Sequence, residues 1–319
     1  MRAKIRQQVK PLLYRIERLD EDKYGYLLIS PMFIALSILA FYPLLRTLWV
    51  SIHGNDLYGR TPIGEFVGMD NYAAILTGDA NIIMPYPFFD SGDPFGSALV
   101  VTLVITAASV TIGTVMGLGM AVILNKEFRG RAYARMIVIL PWAIPIVIQG
   151  MMFYLLFQPS ISFLTAPLHD LGLVSSNPLI STRDSIIIMI LVDAWRRIPF
   201  IALIILAGLA SIDQSLYDVA RVAGASKWQQ FRMITFPLIK PVVFIGMIFY
   251  TISSMKIYGV VEASAGCRTV PTLSCLVVET FRQQRWGTAS AVAFITAILI
   301  GAIVTVYLVQ FRSEVSGGE

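Results

Sequence analysis

Ser215–Pro241 reads SLYDVARVAGASKWQQFRMITFPLIKP, a polar, basic segment set between two long apolar runs. Its first half predicts a short helix over Ser215–Val222, ended by Ala223-Gly224-Ala225. Ser226 suits the N-cap of a second helix that passes through Trp228, Phe231 and Ile234 and stops before Pro237. Leu216, Val219, Ala220 and Ala223 recur at helical spacing and leave Asp218 and Arg221 on other faces. A helix–Gly–helix elbow of this kind suits docking into a partner's groove. An ordinary membrane-surface loop with one amphipathic helix has the same pattern.

The flanks of the elbow decide the class. Of 319 residues, 56% are hydrophobic and 14% charged, and the mean hydropathy is +0.71. That leaves too little polar surface to cover a soluble globule, and the apolar residues fall in runs long enough to cross a bilayer. An all-α membrane protein with about six transmembrane helices is expected, with spans near 26–52, 95–124, 134–157, 185–209, 242–261 and 288–309. Residues 1–24 form a basic tail and 25–319 the transmembrane domain. The apolar run from Leu27 to Leu45 is too long for the core of a cleaved signal peptide. The net charge of +5 is explained by basic clusters between alternate spans, so it does not call for nucleic acid.

The clusters also predict orientation. Arg2, Lys4, Arg6, Lys10, Arg15, Arg18 and Lys23 mark the tail as cytoplasmic, and Lys126, Arg129, Arg131 and Arg135 mark the loop at 125–133. The elbow, within 212–240, belongs to the same side, as does the C-terminus. Residues 53–94 set Arg60 against Asp56, Glu65, Asp70, Asp79, Asp90 and Asp93, which puts them outside with 158–184 and 263–287. Cys267 and Cys275 lie in the last of these, either as one bridge or as two free thiols. Gly113, Gly117 and Gly119 in the second span permit close helix packing. Pro141 and Pro145 free backbone carbonyls inside the third span, whose helix must bend and be supported by its neighbours.

Two sets of intramembrane residues are candidates for a solute path. Asp193, Arg196 and Arg197 sit mid-span, where each charge costs roughly 2.5–3.5 kcal/mol on insertion scales and needs a partner or water. Helical spacing lets Asp193 pair with both arginines, so the group reads either as a path lining or as a structural kink. In the fifth span Tyr250, Thr251, Ser254 and Tyr258 fall within about a third of the helix circumference. They offer the hydroxyls and rings that suit a sugar. Simple helix packing is the alternative use of such residues.

Asp218-Val219-Ala220, Gly224-Ala225-Ser226, Phe231, Ile234 and Phe236-Pro237 resemble the EAA loop of ABC importer permeases, with Asp218 for Glu, Val219 for Ala and Phe236 for Leu. Phe66-Val67-Gly68-Met69-Asp70-Asn71-Tyr72 after the first span, Trp195 to Phe200 in the fourth, and Trp286-Gly287 with Ala289 and Ala291 at the last are similar to the carbohydrate-uptake, maltose-type branch of that family. The resemblance thins near Ala265. It implies that Asp218, Ala220, Arg221, Gly224, Ala225 and Ser226 couple the chain to an ATPase. It also implies a second homologous permease subunit, two ATPase subunits that bind the ATP, an extracytoplasmic solute-binding protein, and a place in a prokaryotic cell membrane. The substrate implied is a sugar or oligosaccharide.

Other chemistry finds little purchase. No Gly-x-x-x-x-Gly-Lys-Ser/Thr loop is present, and Ala223 to Lys227 is only an echo of one. His53 and His169 have no ligand-spaced partners and read as solvated loop residues, so neither a metal, a cofactor nor an enzyme activity is expected. A secondary transporter needs an internal repeat or coupling-ion ligands, neither of which is evident. A membrane scaffold fits the hydropathy but leaves the elbow without a use.

Overall fold

The computed structural model describes residues 21–316, so most of the basic tail lies outside the described residues. The first span is two helices, α1 (Glu21–Leu36) and α2 (Tyr42–Ser51), joined without a break by a π turn at Ser37–Phe41. A connecting segment follows, with a two-stranded antiparallel ribbon, β1 (His53–Asn55) and β2 (Ile63–Phe66), and helix α3 (Asp70–Thr77). Then come α4 (Ala98–Asn125), α5 (Arg131–Ala143), α6 (Ile146–Phe157), the short α7 (Thr165–Asp170) and α8 (Thr182–Ala210). The elbow is α9 (Gln214–Val222) and α10 (Lys227–Gln230), and a second π turn, Phe231–Thr235, leads into α11 (Phe236–Met255). The chain ends with α12 (Gly259–Ala263), α13 (Leu273–Arg282) and α14 (Trp286–Ser316).

Among the described residues, four helical stretches are long and apolar enough to cross a membrane: Gly25–Ser51, Ala98–Asn125, Lys227–Met255 and Trp286–Gln310. The broken pair α5–α6 makes a fifth. The sixth expected span, α8, has the length at 29 residues but carries Asp193, Arg196 and Arg197 in its middle. Its centre is instead packed in protein: α4, α8 and α11 enclose a core of Val110, Ala121, Ile201, Ile205, Ile239 and Tyr250. Gly113 is what admits the Tyr250 ring, and Gly117 lets Ile201 come close, since a Cβ there would sit 2.6 Å from Ile201 Cγ2. Gly119 differs from expectation and faces open space within this chain.

Two boundaries also differ, while the third span bends as expected. The second elbow helix does not stop before Pro237; it runs on into α11. Each π turn ends two residues ahead of a proline, with the Tyr42 N–H donating to Ser37 O and the Phe236 N–H to Phe231 O. Pro43 and Pro237 lack an N–H and crowd the carbonyl one turn back, and widening the ladder by a residue lets the helix pass through. The fifth span ends at Met255 rather than near residue 261, because Tyr258 takes a non-helical conformation and α12 starts afresh. The third span is two helices bent by 91°, with Ile144 extended between them.

The segments expected outside are built rather than loose. Asn71 Nδ2 donates to the carbonyls of Ser51 and His53, both at 2.8 Å, and Tyr72 Oη meets Ser51 Oγ at 2.6 Å. Asn55 Nδ2 donates to Thr288 Oγ1 at 2.8 Å, so the first and last spans are stapled together at this end. His53 is half-buried in that staple, bonded to Trp49 O at 2.6 Å and packed on the Trp49 ring. Cys267 and Cys275 form a disulfide that ties the turn after α12 to the first turn of α13.

Candidate functional site

Two places concentrate function-bearing side chains. The first is the elbow. Asp213 caps α9, its carboxylate accepting the Ser215 N–H at 2.9 Å, which holds it below the usual carboxylate range. The helix ends in a Schellman turn: the Ala225 N–H donates to Ala220 O at 2.9 Å and the Gly224 N–H to Arg221 O at 3.1 Å. That turn needs a left-handed residue, and Gly224 has φ +81°. Ser226 then caps α10 in a reciprocal box, its N–H donating to Gln229 Oε1 at 2.7 Å and its Oγ accepting the Gln229 N–H. Gln230 Nε2 donates back to Ala225 O at 2.9 Å.

These bonds fix the outward face. Leu216, Val219 and Val222 are exposed, Val222 at 91%, an uncovered apolar stripe on an otherwise polar helix. Asp218 and Arg221 flank it and pair with each other at 3.0 Å, both largely exposed. The reverse face holds Tyr217, whose Oη meets Thr235 Oγ1 at 2.8 Å.

The second place is a polar cluster in the middle of α4, α8 and α11. Asp193 is fully buried and pairs with Arg196 Nη1 at 3.5 Å and Arg197 Nε at 3.2 Å. Ser109 Oγ donates to its other oxygen at 3.1 Å and lies 3.2 Å from Ser254 Oγ. Arg197 Nη2 also donates to Ser253 O at 3.1 Å, with its guanidinium 5.7 Å from the centre of the Tyr250 ring. Both carboxylate oxygens are thus met by hydrogen-bond donors from α4 and α8. Thr251 is buried and lies near Tyr307 Oη, at 3.5 Å.

Tyr258 is not part of this cluster. It sits beyond the end of α11, where its hydroxyl accepts from Arg282 Nη2 at 3.1 Å beside Glu262 and Glu279. The helical wheel that grouped it with Tyr250 and Ser254 fails because the helix stops three residues earlier.

Sequence reasoning missed Ser109, Gln149, Trp142 and Phe200. Gln149 Nε2 donates to Pro141 O at 2.7 Å and Ile144 O at 2.9 Å, answering the carbonyls freed by the α5–α6 break. A glutamine one turn past Pro145 was the legible signal. On the concave side of this break lies a recess of about 120 Å³, where Arg196, Arg197 and Phe200 of α8 face Trp142 and Gln149.

The fold is that of a membrane permease. Residues 113–313 match the family described as binding-protein-dependent transport system inner membrane component. The chain belongs to that family. It is 30% identical to the trehalose/maltose transport system permease protein MalF of Thermococcus litoralis, over 90% of this chain and 93% of that protein. It is 28% identical to the trehalose transport system permease protein SugA of Mycobacterium tuberculosis, over 95% and 93%. Among solved structures, a bacterial ABC transporter involved in import of the acidic polysaccharide alginate shares the fold, with a TM-score of 0.70, 21% identity and 95% and 98% coverage.

Proposed function

We propose that this chain is one permease subunit of an ATP-driven importer of a sugar or oligosaccharide. It works beside a second, homologous permease subunit and receives its solute from an extracytoplasmic binding protein. Two ATPase subunits bind and hydrolyse the ATP, and both termini of this chain are cytoplasmic. The observation that carries this reading is the elbow. A short helix capped at both ends presents an apolar stripe flanked by Asp218 and Arg221, with nothing among the described residues to cover it. Exposed apolar surface of this kind, flanked by a charge pair and followed by a capped turn, supports a contact with another protein. The trehalose and maltose relatives support the sugar.

In this mechanism α9 seats in a cleft of an ATPase, and closure of the ATPases moves the elbow. Because Tyr217 is bonded to the root of α11, the motion passes to that span. Ser254 near its far end touches Ser109 and, through it, Asp193, so the cluster that joins three spans feels the displacement. Arg196 and Arg197 border the solute's route, and the buried Asp193, Tyr250, Thr251 and Ser254 hold together the spans that form it.

The test is co-purification with the ATPases, followed by uptake of labelled trehalose and maltose in vesicles. Asp218→Lys should abolish both while the subunit stays in the membrane. The exposed Asp218–Arg221 pair contributes only a few tenths of a kcal/mol to the chain itself, so its loss should act through the partner. Wild-type chain recovered without any ATPase would refute the reading.

A further inference from the structure

We propose that the recess at the α5–α6 break binds an acidic group, a carboxylate, phosphate or sulfonate, carried by the transported saccharide; this rests on the permease reading above. Two guanidiniums, Arg196 and Arg197, share the single carboxylate of Asp193. The surplus positive charge faces the recess, which both arginines line. Arg197 is further satisfied by Ser253 O, whereas Arg196 Nε is buried with no protein partner. Opposite it, Gln149 is 2% exposed, and its Oε1 is likewise unpartnered after Nε2 is spent on the two freed carbonyls.

The side chains that carry this unmet donor and this unmet acceptor thus line the same small space. An anionic oxygen accepts from Arg196 Nε, and a sugar hydroxyl donates to Gln149 Oε1. Trp142 and Phe200 close the recess with rings 6.4 Å apart and 23° from parallel, apolar faces of the sort sugar rings pack on. The source of the anion is a solute rather than a lipid headgroup. Arg196 lies midway along the 29-residue α8, roughly 20 Å from either end, too deep for a headgroup phosphate.

The experiment uses the assembled importer complex in lipid discs and follows Trp142 fluorescence with matched acid–neutral pairs: digalacturonate against galactobiose, and glucose 6-phosphate against glucose. The expected result is at least one acid binding ten or more times tighter than its neutral partner, with a signal that Trp142→Phe removes. Arg196→Gln should bring that ratio below two, and Arg196→Lys should restore part of it. Equal affinities in both pairs overturn the inference, as does a preference that survives Arg196→Gln or a signal that survives Trp142→Phe. ATPase activity stimulated by the binding protein is measured on the same samples. A complex that hydrolyses ATP normally but shows no acid preference sinks only this inference, whereas failure to assemble with ATPases sinks the permease reading.

Discussion

Tyr217 Oη and Thr235 Oγ1 meet at 2.8 Å across the elbow, although they lie on separate helices and 18 residues apart. Tyr217 is on the face of α9 opposite the apolar stripe, and Thr235 closes the π turn at the root of α11. This bond joins the docking helix to the span by a second route besides the chain through Gly224. Replacing Tyr217 with Phe keeps the ring and removes the hydroxyl, at a cost of about 1 kcal/mol. The complex should assemble and hydrolyse ATP, but with several-fold fewer solute molecules moved per ATP. Measuring uptake and hydrolysis on the same vesicles checks this, and an unchanged ratio would remove the brace from coupling.

Gly224 should be replaceable according to backbone conformation alone. Its φ is +81° and no atom lies within 4 Å of a Cβ built there, so space does not decide the outcome. Asn tolerates the left-handed region, Ala is disfavoured by about 1–2 kcal/mol, and a β-branched Val suffers more. Uptake should therefore fall in the order Gly, Asn, Ala, Val, with Val abolishing it at normal membrane abundance. Transport by the Val variant would show that the Schellman turn is dispensable.

Gln149→Leu should destabilise the α5–α6 junction. Two carbonyls, of Pro141 and Ile144, lose their donor, and each buried unmet group costs about 1–3 kcal/mol. A lower thermal midpoint of the purified complex is expected, and Gln149→Glu, which cannot donate when ionised, should behave similarly. A midpoint unaltered by both changes would mean that the break is held by packing alone.

Orientation is open to labelling. Cys267 and Cys275 are paired, so a cysteine introduced elsewhere is read against a low background. Leu76 and Trp228 are both well exposed, at 68% and 67%. A membrane-impermeant maleimide applied to intact cells should modify Leu76→Cys and not Trp228→Cys. Labelling of the second from outside would invert the proposed topology.

The elbow was legible because its signals are local. Gly224 and Ser226 each act on backbone within a few residues, and the pattern shows their roles directly. The α8 charges were legible as a pair for the same reason, being one turn apart. Ser109 was not, because its meaning depends on α4 lying beside α8 and α11, a tertiary fact with no trace in its own neighbours. Tyr258 misled because a helical wheel assumes that the helix continues, and nothing apolar or polar near Lys256 announces the break. Pro237 misled in the opposite direction: a proline normally ends a helix, and only the π turn ahead of it lets the chain run straight on.

That uninterrupted course from Lys227 to Met255 makes the segment a lever. At 1.5 Å per residue its 29 residues form a rod of about 43 Å. Rotating such a rod by about 10° around one end carries the other about 7 Å, more than a full helical turn of travel. The stroke available to the solute's route is then set by length and angle, and residues that never touch the solute govern it. Proline-tolerant continuity at Phe231–Thr235 is what keeps the rod from folding at its fulcrum.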